Sequence, residues 1–201
     1  MAIHYATEPA NGSTLVRSGL EKASTRPSPL TGQTVDAKAA DAKTLELSAP
    51  HRVYDLRADL IASGKGLESA THTGYRYLVT RAGKHLAGAE VHVDATGAAK
   101  LLANINYGPY VQATADAIEK AGALPDVAKG NYEARVLRFA AIGVMALWLK
   151  PDAGGADILY PLAPTPAGID AEKPYSEAAF LAAIRPLAER RATKKDPASV
   201  P

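Results

Sequence analysis

Asn104, Asn106, Tyr107 and Tyr110 place two amides and two phenols at the junction between a strand-like stretch and the start of a helix. Backbone N–H groups at a helix N-terminus carry partial positive charge and can receive an anion, while amides and phenols supply orienting hydrogen bonds. This is the spot the sequence nominates for a small ligand. The same residue types also cap β-to-α turns, where an Asn side chain bonds the backbone two residues on. Both readings stand at this point.

His85, Glu90 and His92 are the nearest approach to a metal or acid/base cluster. Positions 85 and 92 differ by an odd number, so on one regular strand they point to opposite sides and cannot share a metal without a bulge. Glu90 and His92 share a side, yet zinc would need a further nitrogen or oxygen ligand, and His72 is the only other histidine near in sequence. An exposed sheet face is the expectation, and no metal or cofactor is nominated. Ser63-Gly64-Lys65-Gly66-Leu67-Glu68-Ser69 lacks both the spacing and the terminal Lys-Ser/Thr of a P-loop and reads as a helix stop and turn. No Gly-x-Ser-x-Gly elbow or His-Glu-x-x-His segment occurs, so no catalytic residue is nominated. Arg190, Arg191, Lys194 and Lys195 form a basic patch that favours the negative end of a helix dipole but lacks the interleaved aromatics of a nucleic-acid surface.

The 201 residues suit one domain with an extension, and 47% hydrophobic with 22% charged residues is ordinary globular composition. Aromatics are only 6%, so Trp148, Phe139, Phe180 and the tyrosines must supply a disproportionate share of buried area. A net charge of +2 implies no field that draws the chain onto nucleic acid, and the absence of cysteine excludes disulfides and thiolate sites. MAIHYATEPANGST lacks the basic and apolar regions of a signal peptide, and Asn11-Gly12-Ser13 reads as a chance glycosylation match. The apolar run Phe139 to Leu149, closed by Arg138 and Lys150, is well short of the roughly 20 residues a membrane helix needs. A soluble, cytoplasmic protein is predicted.

Residues 1–43 are rich in Ser, Thr, Ala, Gly and Pro without sustained periodicity, and read as a polar, linker-like arm that only a neighbour could order. Thr44 to Ser48 is a short strand candidate, and Val53 to Ser63 a short helix stopped by Gly64. Tyr75 to Thr80 and His85 to Val93 form a hairpin, with Tyr75, Tyr77 and Val79 meeting Ala87, Ala89, Val91 and Val93 on one buried face. A third strand alternates Leu101, Ala103, Ile105 and Tyr107 on one side; a helix from Gly97 to Asn104 is the competing reading. Gly108, Pro109 and Gly122 bracket a helix whose apolar face is Val111, Ala115, Ile118 and Gly122. Ala134 to Lys150 and Ala156 to Leu162 are read as a core hairpin with a bulge or bend at Gly143, against a helix to Ile142 followed by a strand. Ser176 starts the last helix, with Tyr175 and Phe180 as a hydrophobic staple and a kink at Pro186.

The order β-β-β-α-β-β-α with short connections predicts an α+β fold: an antiparallel sheet of about five strands with helices packed on one face, in a domain over 44–192 and a tail over 193–201. No segment resembles a known family. The function expected is a non-catalytic structural or protein-interaction module, associating with a protein partner or with itself through the N-terminal arm, with neither membrane nor nucleic acid as partner. The alternative is a small-ligand-binding protein or enzyme with a pocket near Asn104–Tyr110.

Overall fold

The computed structural model describes residues 2–23, 44–171 and 173–193. Among them are strands β1 (Ile3–His4), β2 (Glu46–Leu47), β3 (His51–Asp55), β4 (Thr71–Arg81), β5 (Lys84–Val93), β6 (Ala99–Asn106), β7 (Tyr132–Phe139), β8 (Val144–Pro151), β9 (Ile158–Pro161) and β10 (Tyr175–Ser176). The helices are α1 (Gly12–Ala23), α2 (Ala58–Ala62), α3 (Tyr110–Gly122), α4 (Pro125–Lys129) and α5 (Glu177–Thr193). No helix among the described residues is long and apolar enough to cross a membrane.

The fold is α+β, but the sheet is not the five-stranded antiparallel one the sequence suggests. Ten strands form a mixed sheet, ordered β10-β9-β8-β7-β3-β4-β5-β6, with β1 on β7 and β2 on β4. The antiparallel expectation fails at β7, where both β1 and β3 run parallel to it. Neither partner could be read from alternation, since β1 has two residues and β3, His-Arg-Val-Tyr-Asp, presents mostly polar side chains. The chain divides into two compact units, one of Met1–His4, Val53–His72 and Ala113–Pro201, the other of Tyr5–Arg52 and Thr73–Gln112.

In the first unit β7 and β8 are two strands of one hairpin, not a single long strand. Phe139 pairs with Val144, one turn of 3₁₀ helix carries the chain over Ala140–Ile142, and Gly143 closes it with φ 68°. Gly143 therefore makes the turn, since a left-handed backbone suits glycine. Leu137, Phe139, Val144, Ala146, Trp148 and Leu159 pack under α2 and α5. Helix α5 buries Phe180, Leu181, Ile184 and Ala188 and continues through Pro186. Its start is built as expected: Ser176 Oγ accepts from Ala179 N at 3.3 Å, and the Tyr175 ring stands edge-on to Phe180 at 6.3 Å. Helix α3 stops at Gly122, and Pro125 begins α4, where its missing N–H costs nothing. Helix α3 buries Val111, Thr114, Ala117 and Ala121, a face turned slightly from the one the sequence suggests.

In the second unit, the stretch read as a polar arm contains α1, which buries Val16 and Leu20 against Tyr75, Tyr77, Val79, Ala87, Ala89 and Val91 of β4 and β5. Two leucine-class side chains suffice because small residues bring the helix close. A Cβ on Gly12 would collide with the Tyr77 hydroxyl, and one on Gly19 with Leu102. Glu8 accepts from Ser13 N at 2.7 Å, which satisfies a free donor at the helix start and lowers the carboxyl pKa through hydrogen bonding from Ser13. The remaining arm and tail expectations, over 24–43 and 194–201, lie outside the described residues.

Two stability outcomes test this packing. Trp148 is 4% exposed with Tyr54 edge-on at 5.2 Å, so Trp148→Ala should cost about 3–5 kcal/mol in urea melts; a loss under about 1 kcal/mol would remove it from the core. Gly12→Ala sets a clash with a Tyr77 ring that is 1% exposed against a gain in helix propensity. Overpacking at about 1–3 kcal/mol outweighs a gain of at most about 1, so net destabilisation is expected, and a higher melting temperature would show that α1 does not lie where described.

Candidate functional site

Strands β4, β5 and β6 form a meander whose two sides differ. Ala82 and Gly83, with φ 47° and 76°, make the tight turn between β4 and β5. On the side under α1 the hairpin follows the expected alternation, but β6 does not. The pairing shifts between Glu90 and Val91 and again between His92 and Val93, leaving Ala103 and Lys100 as extra residues. Each bulge moves the count by one, so Ala99, Leu102, Ile105 and Tyr107 pack on the α1 side, and the single alternating row of Leu101, Ala103, Ile105 and Tyr107 is broken.

The opposite side carries the polar groups. Arg76 pairs with Glu90 and Glu90 with Asn104; Gly88 pairs with Asn106 and His92 with Leu101. Residues directly opposite one another in an antiparallel sheet share a side, so Arg76, Glu90 and Asn104 form one row across three strands. Exposure grades along it, with Arg76 at 0%, Glu90 at 4%, and Asn104 exposed.

Arg76 is the unusual member. Its Nη1 donates to Glu90 Oε1 at 2.9 Å, and its guanidinium lies against Gly88, where a Cβ would stand 2.6 Å from Nη2. Gly88 is therefore the space the guanidinium needs. Arg76 Nε and Nη2 have no acceptor among the described protein groups. Burying a guanidinium is tolerable only with a matched anion, so Glu90 holds this position electrically; removing either partner leaves an uncompensated charge at about 3–5 kcal/mol. His51, also fully buried, bonds the Arg76 carbonyl through Nδ1 at 3.3 Å, and the Tyr5 ring stands edge-on to it at 5.1 Å.

The four nominated residues do not converge. Asn104 and Asn106 lie on the polar side, where Asn106 Oδ1 accepts from Gly108 N at 2.6 Å and so caps the turn into α3. Tyr107 packs with the α1 cluster, and Tyr110 begins α3 half-buried. Burial raises both phenol pKa values, which keeps them protonated at neutral pH and unsuited to act as bases. The bulge between Val79 and Thr80 sets His85 opposite Thr80, on the side Glu90 and His92 share, yet His85 and His92 stand at opposite ends of β5. No group able to hold a metal occurs among the described residues. Arg76 and His51 were missed by the sequence reading. The available signal was an arginine inside the otherwise apolar stretch Tyr75 to Val79, with a glutamate, Glu90, and a glycine, Gly88, in the next strand.

Burial, with the nearby Arg76 charge, pushes the His51 pKa down from 6.5 to about 4. The unfolded chain thus binds a proton that the folded chain refuses, and stability contributed by neutral His51 is lost as pH falls from about 6.5 towards 4. The difference is worth about 3 kcal/mol at full effect. Melts from pH 7 to 4 should show this acid loss, and His51→Gln should flatten it; an unchanged acid limb in the variant would mean His51 is not buried neutral.

Compared with known proteins, the chain matches no family model, no curated protein and no solved structure.

Proposed function

We propose that the chain is a non-catalytic protein-interaction module that receives a protein partner, or a second copy of itself, on the open polar side of β5 and β6. The observation that carries the reading is Leu101. It is 46% exposed, one of two exposed large hydrophobics named among the described residues, and it sits opposite exposed His92 with Asn104 and Asn106 on the same side. An apolar anchor ringed by uncharged hydrogen-bonding groups is the composition of an interface centre, from which charges are depleted. The row leading inward to Glu90 and Arg76 fixes the strands beneath it without adding net charge.

The reading puts association on the sheet; in the described part of the arm, α1 uses Val16 and Leu20 in the core of its own unit. A second reading puts a small ligand on the same strip, where exposed Asn104 offers an amide for orienting hydrogen bonds. Light scattering over a range of concentrations, alone and with cross-linked partners, separates them. Leu101→Glu should abolish association at unchanged circular dichroism and melting temperature. A chain that stays monomeric and gains no hydrogen-exchange protection over Ala99–Asn106 in cell extract would sink the interaction reading, and a metabolite that raises the melting temperature of the wild type but not of Asn104→Asp would favour the ligand.

A further inference from the structure

The turn of the β7–β8 hairpin and the C-terminal end of α5 enclose a crevice of about 270 Å³, lined by Ala141, Ile142, Leu187, Arg190 and Arg191. Three aliphatic side chains form its floor, and Ala141, Arg190 and Arg191 are exposed. Arginines at a helix C-terminus commonly serve its last carbonyls. Here the Thr193 hydroxyl shares its one proton between the Glu189 and Arg190 carbonyls at 3.1 Å each, so it is this side chain that reaches the helix end. Neither arginine forms an ion pair with any described carboxylate. In sequence, Lys194 and Lys195 follow directly.

We infer that this crevice is a docking site for an acidic peptide segment of a partner protein, one aliphatic side chain entering between Ala141, Ile142 and Leu187 while flanking carboxylates meet Arg190 and Arg191. Two features select this occupant. The floor has only aliphatic groups, which suits a leucine-like side chain and offers no ring on which a nucleic-acid base could stack. The rim offers planar forks of N–H donors, which match carboxylates in paired geometry. The site lies in the first unit and uses none of the β5–β6 strip, so its success or failure is independent of the reading above.

The test is fluorescence anisotropy with a labelled peptide of glutamates flanking one leucine, titrated with the full chain. Saturable binding is expected, weakening steeply with salt. Arg190→Gln with Arg191→Gln should weaken it on the order of tenfold, and Ala141→Asp, which fills the exposed floor with charge, should do so with both arginines intact. Replacing the peptide's leucine by serine should also weaken it several-fold. Lack of saturable binding, equal affinity in the arginine variant, or indifference to the leucine would each overturn the proposal. So would stronger arginine-dependent capture by phosphatidylglycerol vesicles than by the peptide, which would make the patch a membrane contact. Unchanged melting curves of the variants establish that they fold.

Discussion

Strand β7 must satisfy the backbone hydrogen-bonding groups along both of its edges, and the first unit is arranged around how it does so. A buried N–H or C=O without a partner costs about as much as a lost hydrogen bond, so each edge needs a strand. One edge takes β8 in an uninterrupted register from Tyr132–Pro151 to Phe139–Val144, supplied by a short local connection. The other edge has no local partner and is covered from remote sequence. Ile3 and His4 pair with its start, and Leu56 N reaches the Arg138 carbonyl at 2.9 Å near its end. Arg138 and Asp55 reinforce that junction through a two-point pair at 2.6 and 2.9 Å. Parallel pairing follows because both segments enter from the same direction as β7 itself.

With the edges closed, β7 and β8 offer a continuous apolar side to α5. The boundary of that side is chemical as well as geometric. Leu137, Phe139, Val144 and Ala146 lie under the helix, while at the other end Trp148 meets Arg135, whose guanidinium stands 5.0 Å from the Tyr54 ring and 5.1 Å from the indole. A guanidinium can lie flat on aromatic faces while its polar edge reaches Glu133 at 2.8 Å. The apolar interior therefore grades into the polar surface through rings and a cation, and Trp148 belongs to the core while bordering it.

Local features were legible in the sequence to the extent that their periodicity was intact. The β4–β5 hairpin, α3, the staple of Tyr175 on Phe180 and the apolar face of α5 follow from alternation, helical spacing and capping chemistry. What failed depended on contacts distant in sequence. Helix α1 buries only Val16 and Leu20 besides Gly12, with Leu15 partly buried beside them, and its docking rests on absent Cβ atoms at Gly12 and Gly19, which read as loop composition. The apolar run Phe139 to Leu149 concealed a turn because the residues before Gly143 are themselves hydrophobic. In β6 two bulges overrode alternation, and with them the assignment of which residues face out. Leu101, which simple alternation groups with Ile105 and Tyr107, lies on the opposite side from them and is exposed.

The same bulges connect fold to surface. An end strand with regular pairing presents a straight row of unmatched backbone groups and invites another strand to add to it. In β6 the extra residues Lys100 and Ala103 break that row, which disfavours pairing through the backbone. They also rotate Leu101 to the side of His92 and Asn104, away from the α1 core. An unbulged β6 would turn Leu101 inward and leave an edge open to indiscriminate strand addition. The irregularity thus exchanges an unspecific edge for a side-chain surface held by Glu90 and Arg76 beneath it.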